Sequence, residues 1–405
     1  MHDPSRVRVS GPLEPFAASF VCSLLGQGYT PHSAVSQVLL MARLSRWLAS
    51  QGRDVRGLCT TDVERFLIAR RSAGYTHYVS AKGLRPMLAC LHDQGVSLAR
   101  SPAPVHGPVD VAIDRYRQYL IRERGLGQAT ARQYVDAVRP FLSGRLSPDG
   151  AALDWTSLDA AAVTAFVVAR TPHQSRSVAK MTVTALRSLL GFLHVDGILP
   201  RRLTAAVPAV AGWRLAGLPK ALTPAEVEAL FASCDRCTPT GRRDFAVLTM
   251  LVRLGLRAGE LAALRLDDIQ WRAGTIVIRG KGHQVEPLPW PADVGQAVVA
   301  YLRRGRPTAA ADRTVFISVT APHRALSAGA VSEIVAAAAR RAGLGLIHAH
   351  RLRHTAATSL LRAGAPLPEI GQLLRHRRLL TTAIYAKVDR TALRRIARPW
   401  PGGVA

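Results

Sequence analysis

HRLRHTAATSLLRAG (350–364) and LLRHRRLLTTAIYAKV (373–388) are the stretches whose reading decides what kind of domain closes this chain. The first reads as a helix over about 351–363, and His350 and Arg353, three apart at its start, share one face. A second helix, about 366–374, leads to His376, and a third, about 379–388, carries Tyr385 nine residues further on. Upstream, GLRAGEL (255–261) puts Arg257 at another helix start, after a stretch (243–266) that is apolar at helical spacing. Between the two regions, TIVIRGKGHQVEPLPW (275–290) has β-branched residues on one side of Gly280-Lys281-Gly282 and Val285–Leu288 on the other. That is a hairpin with Lys281 at its tip. The domain opens at ALTPAEVEALF (221–231), where Thr223, Pro224 and Glu226 form a capping box with proline at the first helical position. One more helix is expected at about 327–342.

These residue types suit one chemistry. Two converging guanidiniums grip the non-bridging oxygens of a phosphodiester through paired, charge-assisted hydrogen bonds, and arginine never deprotonates. Such a clamp stabilises the charge that builds on five-coordinate phosphorus. A tyrosine hydroxyl, with a pKa of ~10, needs a base or an activated phosphate before it can attack. A leaving alkoxide needs a proton, which lysine can donate and arginine cannot; only five of the 54 basic residues are lysines, and Lys281 is one of them. Each residue also has an ordinary alternative. Arg257 can pair locally with Glu260, Tyr385 can be a half-buried helix aromatic, and Lys281 a solvated turn residue. The cluster of His348, His350 and His354 invites a metal reading, but it lacks neighbouring carboxylates and cysteines.

Taken together, the segments 255–261, 279–289, 350–364 and 373–388 resemble, in order, the motifs of the tyrosine recombinase (phage integrase) family. The resemblance covers about residues 220–390 with specific motifs, and residues 108–200 more loosely resemble the family's core-binding helical domain. It implies a mainly α fold with a small β-hairpin sheet in the catalytic domain (α+β), and a C-shaped clamp around duplex DNA. By the same resemblance Arg257, His350, Arg353 and His376 bind and activate the scissile phosphate, and His350 also serves in acid–base steps. Lys281 is the general acid. Tyr385 becomes linked to a DNA 3′-phosphate and releases a 5′-hydroxyl. The phosphotyrosine stores the bond energy, so neither metal, ATP nor other cofactor is expected. Partners implied are double-stranded DNA and further protomers in a tetramer, with or without a sister recombinase. Two positions depart from the family: Arg375 stands where glycine is usual, and Arg351 where an acidic residue is usual. Arg375, Arg377 and Arg378 form a basic knot suited to DNA backbone.

The rest of the 405 residues fits this reading. Lysine and arginine number 54 against 27 acids, a net charge of +27, divided almost evenly between residues 1–220 and 221–405. Both halves are therefore expected to meet phosphate. LRPMLACLHDQGV (84–96) recurs as LRSLLGFLHVDGI (186–198), and DVERFLIAR (62–70) as AVTAFVVAR (162–170), as if a bundle of about four helices were duplicated. Proline- and glycine-bearing linkers at 101–110 and about 204–220 separate the parts. The expected organisation is a helical DNA-binding domain (1–100), a core-binding, SAM-like helical domain (108–203), a catalytic domain (220–395) and a tail (396–405). No uninterrupted apolar run reaches ~18 residues, the first 21 residues carry acids and prolines where a signal peptide is apolar, and five cysteines do not make a disulfide framework. The expectation is a bacterial, cytoplasmic, nucleoid-associated protein with no membrane partner. Cys234 and Cys237, a lone pair of thiols, do not suffice for a structural zinc. Two rival functions share the fold: a type IB topoisomerase-like DNA relaxing activity, and a DNA-binding protein that no longer cuts.

Overall fold

The computed structural model describes residues 3–96, 107–211, 220–280, 285–308, 310, 312–376 and 379–388. Lys281, Arg377 and Arg378 lie outside the described residues, as do most of the two linkers and the tail. The structure is mainly helical with one three-stranded antiparallel sheet. Contacts divide the chain into two units, Met1–Ala99 with Gly217–Ala405, and Arg100–Ala216.

The N-terminal helices are α1 (Ala17–Gly26), α2 (Pro31–Ser50), α3 (Thr60–Ser72) and α4 (Ala81–Asp93). The second unit contains α5 (Pro108–Arg122), α6 (Gln128–Ser143), α7 (Ala160–Arg170) and α8 (Arg176–Val195). Each set of four encloses its own apolar core. The repeated segments fall on matching elements. Leu84 and Leu91 of α4, and Leu186, Leu190 and Leu193 of α8, are all buried. Both helices end before a glycine with positive φ, Gly95 (80°) and Gly197 (75°), the backbone conformation that closes a helix most cheaply with glycine. By length and composition α8 is apolar enough to cross a membrane, which a count of uninterrupted apolar residues did not register. Half of the qualifying stretch is buried, its leucines form the core of the second unit, and Arg187 donates to the Val207 carbonyl at 2.8 Å.

The C-terminal region is built around α10 (Pro239–Leu254), which is buried from Ala246 to Val252. Before it, α9 (Pro224–Ala232) has the expected capping box, with Thr223 N–H on Glu226 Oε2 at 2.7 Å and Glu226 N–H on Thr223 Oγ1 at 3.2 Å. After α11 (Ala258–Ala262) come β1 (Ile269–Gln270), β2 (Thr275–Arg279) and β3 (Val285–Pro289), paired in that order. Ile276 pairs with Leu288 and Ile278 with Glu286, so the alternate residues Ile276 and Ile278 face the core. Then follow α12 (Ala292–Arg304), α13 (Ala328–Arg341), α14 (Ala349–Arg362), α15 (Leu367–Leu373) and the single turn α16 (Leu379–Thr382). The long helix expected over 379–388 does not form. After α16 the chain tightens into a 3-10 segment, Ala383–Val388, which carries Tyr385. All five cysteines are free thiols.

Candidate active site

Arg353 is the pivot of the site. It lies in the second turn of α14 and is only 2% exposed. Its guanidinium donates to the Gly255 carbonyl at 2.6 Å and also to the Leu374 carbonyl. A buried charge is tolerable when its donors are spent in this way. The contact requires glycine at the end of α10: Gly255 has a φ of 58°, and a Cβ there would stand 2.5 Å from the Leu374 side chain. Burial, then the neighbouring charge of Arg257, lowers the Arg353 pKa to about 10, so it remains a cation at neutral pH.

Arg257 caps α11 and is half exposed. Its backbone N–H donates to Glu260 Oε2 at 2.9 Å, its guanidinium pairs with Glu260 Oε1, and Nη2 reaches the Arg375 carbonyl at 3.2 Å. The local Glu260 partner anticipated from sequence is thus present. It is not solvated, however: Glu260 is 6% exposed and is also bound by Arg375 Nη2 at 2.8 Å. Burial pushes the Glu260 carboxyl up, but the hydrogen bonds from Arg257 and the charge of Arg375 outweigh it and hold it below the usual glutamate range. Arg375 itself, expected to reach outward to DNA backbone, is instead turned inward and is 8% exposed. With Glu260 and the Leu373 carbonyl there to receive its charge, the interior is the better-paired environment.

Three histidines and Tyr385 complete the group. His350, at the exposed rim of α14, packs edge to face with His354, ring centroids 4.5 Å apart. Tyr385 is 2% exposed, and its hydroxyl shares a 3.0 Å hydrogen bond with His354 Nδ1. The His376 ring lies parallel to that of Tyr385 at 6.4 Å and shares a 2.8 Å hydrogen bond between Nδ1 and Thr382 Oγ1. Loss of water around the rings is the main cause lowering all three imidazole pKa values. The next cause is Arg353 for His350 and His376, and His350 for His354. His376 falls to about 4. All three are neutral at pH 7. Burial raises the Tyr385 hydroxyl, which Arg353 opposes only in part.

Five of the six residues singled out from sequence therefore gather in one place: Arg257, His350, Arg353, His376 and Tyr385. The sixth, Lys281, falls between β2 and β3, outside the described residues. Sequence reasoning missed the role of His354 as the partner of Tyr385, although it noted the histidine cluster. The signal was its i+4 spacing from His350, which puts both on one face. It also missed Thr382 and the inward turn of Arg375. No group of three or more metal-ligating side chains occurs among the described residues.

Comparison with known proteins finds relatives of two parts of the chain. The family described as phage integrase matches residues 220–391, and the phage integrase N-terminal SAM-like domain matches residues 113–197. A putative integrase/recombinase of Sinorhizobium fredii, y4rA, is 40% identical over 397 residues, 97% of this chain and 95% of the relative. The tyrosine recombinase XerD of Listeria monocytogenes is 32% identical over 287 residues, 70% of this chain and 95% of the relative. Among solved structures, the XerH recombinase bound to a palindromic difH substrate shares the fold with a TM-score of 0.56 and 19% identity, over 82% of this chain and 93% of that one. A λ integrase dimer bound to a COC′ core site gives 0.54 and 18%, over 72% and 96%.

Proposed function

The chain belongs to the phage integrase family of tyrosine recombinases, DNA breaking-rejoining enzymes, and on that premise we propose that it is a site-specific recombinase of a mobile element with Tyr385 as its nucleophile. The observation that carries the proposal is the hydrogen bond between Tyr385 Oη and His354 Nδ1, inside a ring of side chains that includes Arg353, His350 and His376. Neutral His354 accepts the phenolic proton as Tyr385 Oη attacks phosphorus. The P–O bond to the 5′-oxygen breaks, leaving a 3′-phosphotyrosine. Arg257 and Arg353 neutralise charge on the non-bridging oxygens. In the tautomer in which the Thr382 hydroxyl donates to Nδ1, His376 keeps its proton on Nε2 and donates from there. Lys281, in the β2–β3 link, supplies the proton to the leaving 5′-oxygen, and His350 assists. Rejoining is the same sequence reversed, which conserves the bond energy.

The helical bundles, α1–α4 and α5–α8, are proposed to grip duplex DNA as two modules of duplicated origin, consistent with the repeat and with the charge spread over both halves. Assembly as a tetramer is proposed on the precedent of a λ integrase tetramer bound to a Holliday junction, a neighbour in fold with a TM-score of 0.55. The decisive experiment is covalent trapping. Nicked duplexes from DNA flanking the gene are incubated with protein, and adducts are scored on a denaturing gel. Wild type should form an adduct that Tyr385→Phe does not. Tight, salt-sensitive binding with no adduct, with or without a co-expressed second recombinase, would leave a DNA-binding protein that no longer cuts.

A further inference from the structure

Arg375 occupies an unusual position for an arginine. Its φ is 53°, in the left-handed region that disfavours any residue with a Cβ. Only Tyr78 shares this among the non-glycine residues described. The conformation is held by its N–H on the Gln372 carbonyl at 2.8 Å and by its own carbonyl, which accepts from Arg257 Nη2 at 3.2 Å. The side chain is 8% exposed, with Nη1 on the Leu373 carbonyl and Nη2 on Glu260 Oε2, both at 2.8 Å, while Nε has no partner. Its terminal nitrogens are thus turned inward, to the Leu373 carbonyl and to Glu260.

The charge arithmetic gives this placement a purpose. Glu260 binds Arg257 through its backbone and its guanidinium. Alone, that pair sums to zero, and the glutamate competes with a phosphate for the arginine. Sharing Glu260 between two guanidiniums leaves the trio with one net positive charge. Only Arg257 of the two arginines is open enough to present that charge, being 40% exposed against 5% for the Arg375 side chain. We propose that Arg375 is a positioning residue: through Glu260 and through its own carbonyl, it orients Arg257 and frees its charge for the phosphodiester. The inference rests on the reading of Arg257 as a phosphate ligand.

Arg375→Gly tests it, because glycine accepts the φ of 53° and the loop keeps its path; Arg375→Lys keeps the charge. Single-turnover adduct formation would be measured on a duplex that wild type cleaves, with the scissile phosphate either natural or replaced by an uncharged methylphosphonate. We expect Arg375→Gly to slow cleavage of the natural phosphate about tenfold or more, a fraction of the loss typical for a direct charge-stabilising donor. Duplex affinity should change by less than about twofold, Arg375→Lys should recover part of the rate, and the deficit should shrink on the methylphosphonate, which has no anionic charge to neutralise. Wild-type rates in Arg375→Gly, or equal slowing on both substrates, would overturn the inference. Tyr385→Phe is run alongside: adducts that persist in it sink the nucleophile reading, not this one. A readout independent of cleavage is the Arg257 Nε–H resonance of the full chain titrated with inorganic phosphate. The wild-type shift should saturate at several-fold lower phosphate than that of Arg375→Gly. Equal titrations, or a wild-type resonance indifferent to phosphate, would also overturn the inference.

Discussion

Tyr385 and His354 are 31 positions apart and yet share a 3.0 Å hydrogen bond, which sets the phenolic hydroxyl against an imidazole nitrogen. Burial raises the hydroxyl pKa, so Tyr385 attacks only if a neutral base accepts its proton. Burial, His350 and Arg353 keep His354 neutral by lowering its pKa below the ordinary imidazole value of 6.5. Adduct formation should therefore be level around neutral pH and fall only as the pH drops through that depressed value. His354→Gln keeps a hydrogen bond but cannot take a full proton; its single-turnover rate should fall by about 100-fold, within the usual range for a general base. A wild-type rate and pH profile in that variant would remove His354 from the mechanism. His376 bears on stability. Its pKa is about 4 in the folded protein against 6.5 for the free side chain, so between those values the unfolded chain binds the extra proton. Stability is complete above pH 6.5 and should decline as pH falls toward 4, a loss that melting temperatures across this window would register.

Three helices of the C-terminal region were legible to within two residues, whereas α12 (Ala292–Arg304) was not foreseen and the single apolar stretch at 243–266 divides into α10 and α11. Those expected at 327–342, 351–363 and 366–374 are Ala328–Arg341, Ala349–Arg362 and Leu367–Leu373. The capping box at Thr223 and the two strands flanking Lys281 were equally plain, because caps and β-branched runs are local signals. The helix expected at 379–388 was not, because a single helical turn passing into a 3-10 segment is set by packing. Ala357, Ile370 and Leu374 hold the Tyr385 ring in place. The junction of α10 and α11 is similarly a matter of close approach. Gly255→Ala should cost about 2–4 kcal/mol, combining a left-handed alanine with overpacking against Leu374. Urea denaturation measures it, and an alanine variant as stable as wild type would mean that the approach of Gly255 to Leu374 is looser than described. Thr223→Ala removes one cap and should cost about 1 kcal/mol.

Over the full chain the governing quantity is charge. A net +27 spread along the sequence, rather than held in a tail, is expected to meet many phosphates at once on a duplex. Each one releases counterions, so affinity for duplexes of any sequence should fall by about a thousandfold or more between 50 and 200 mM salt. A shallow salt dependence would restrict contact to a few phosphates and argue against two helical modules on the duplex. Gly95 and Gly197, and the buried leucines of α4 and α8, occupy corresponding places in the two repeated segments. Footprinting with and without residues 1–100 asks whether the added copy lengthens the protected DNA, as proposed.

Residue types and their order along the chain were enough to establish the helical class, the hairpin, the family and six candidate side chains, because each depends on spacing over a few residues or on a motif. What lies between those side chains was not legible. Arg353 reaches the Gly255 carbonyl across 98 positions, and Arg375 reaches Glu260 across 115. Whether an arginine beside a histidine faces water or the interior depends on which carboxylate and which carbonyls the fold brings within 3 Å of it. A spacing rule contains no information about that. Tertiary packing turned Arg375 inward, gave Tyr385 a hydrogen-bond partner in His354, and placed two donors of Arg353 on backbone carbonyls, because buried charges and hydroxyls settle where their hydrogen bonds can be made.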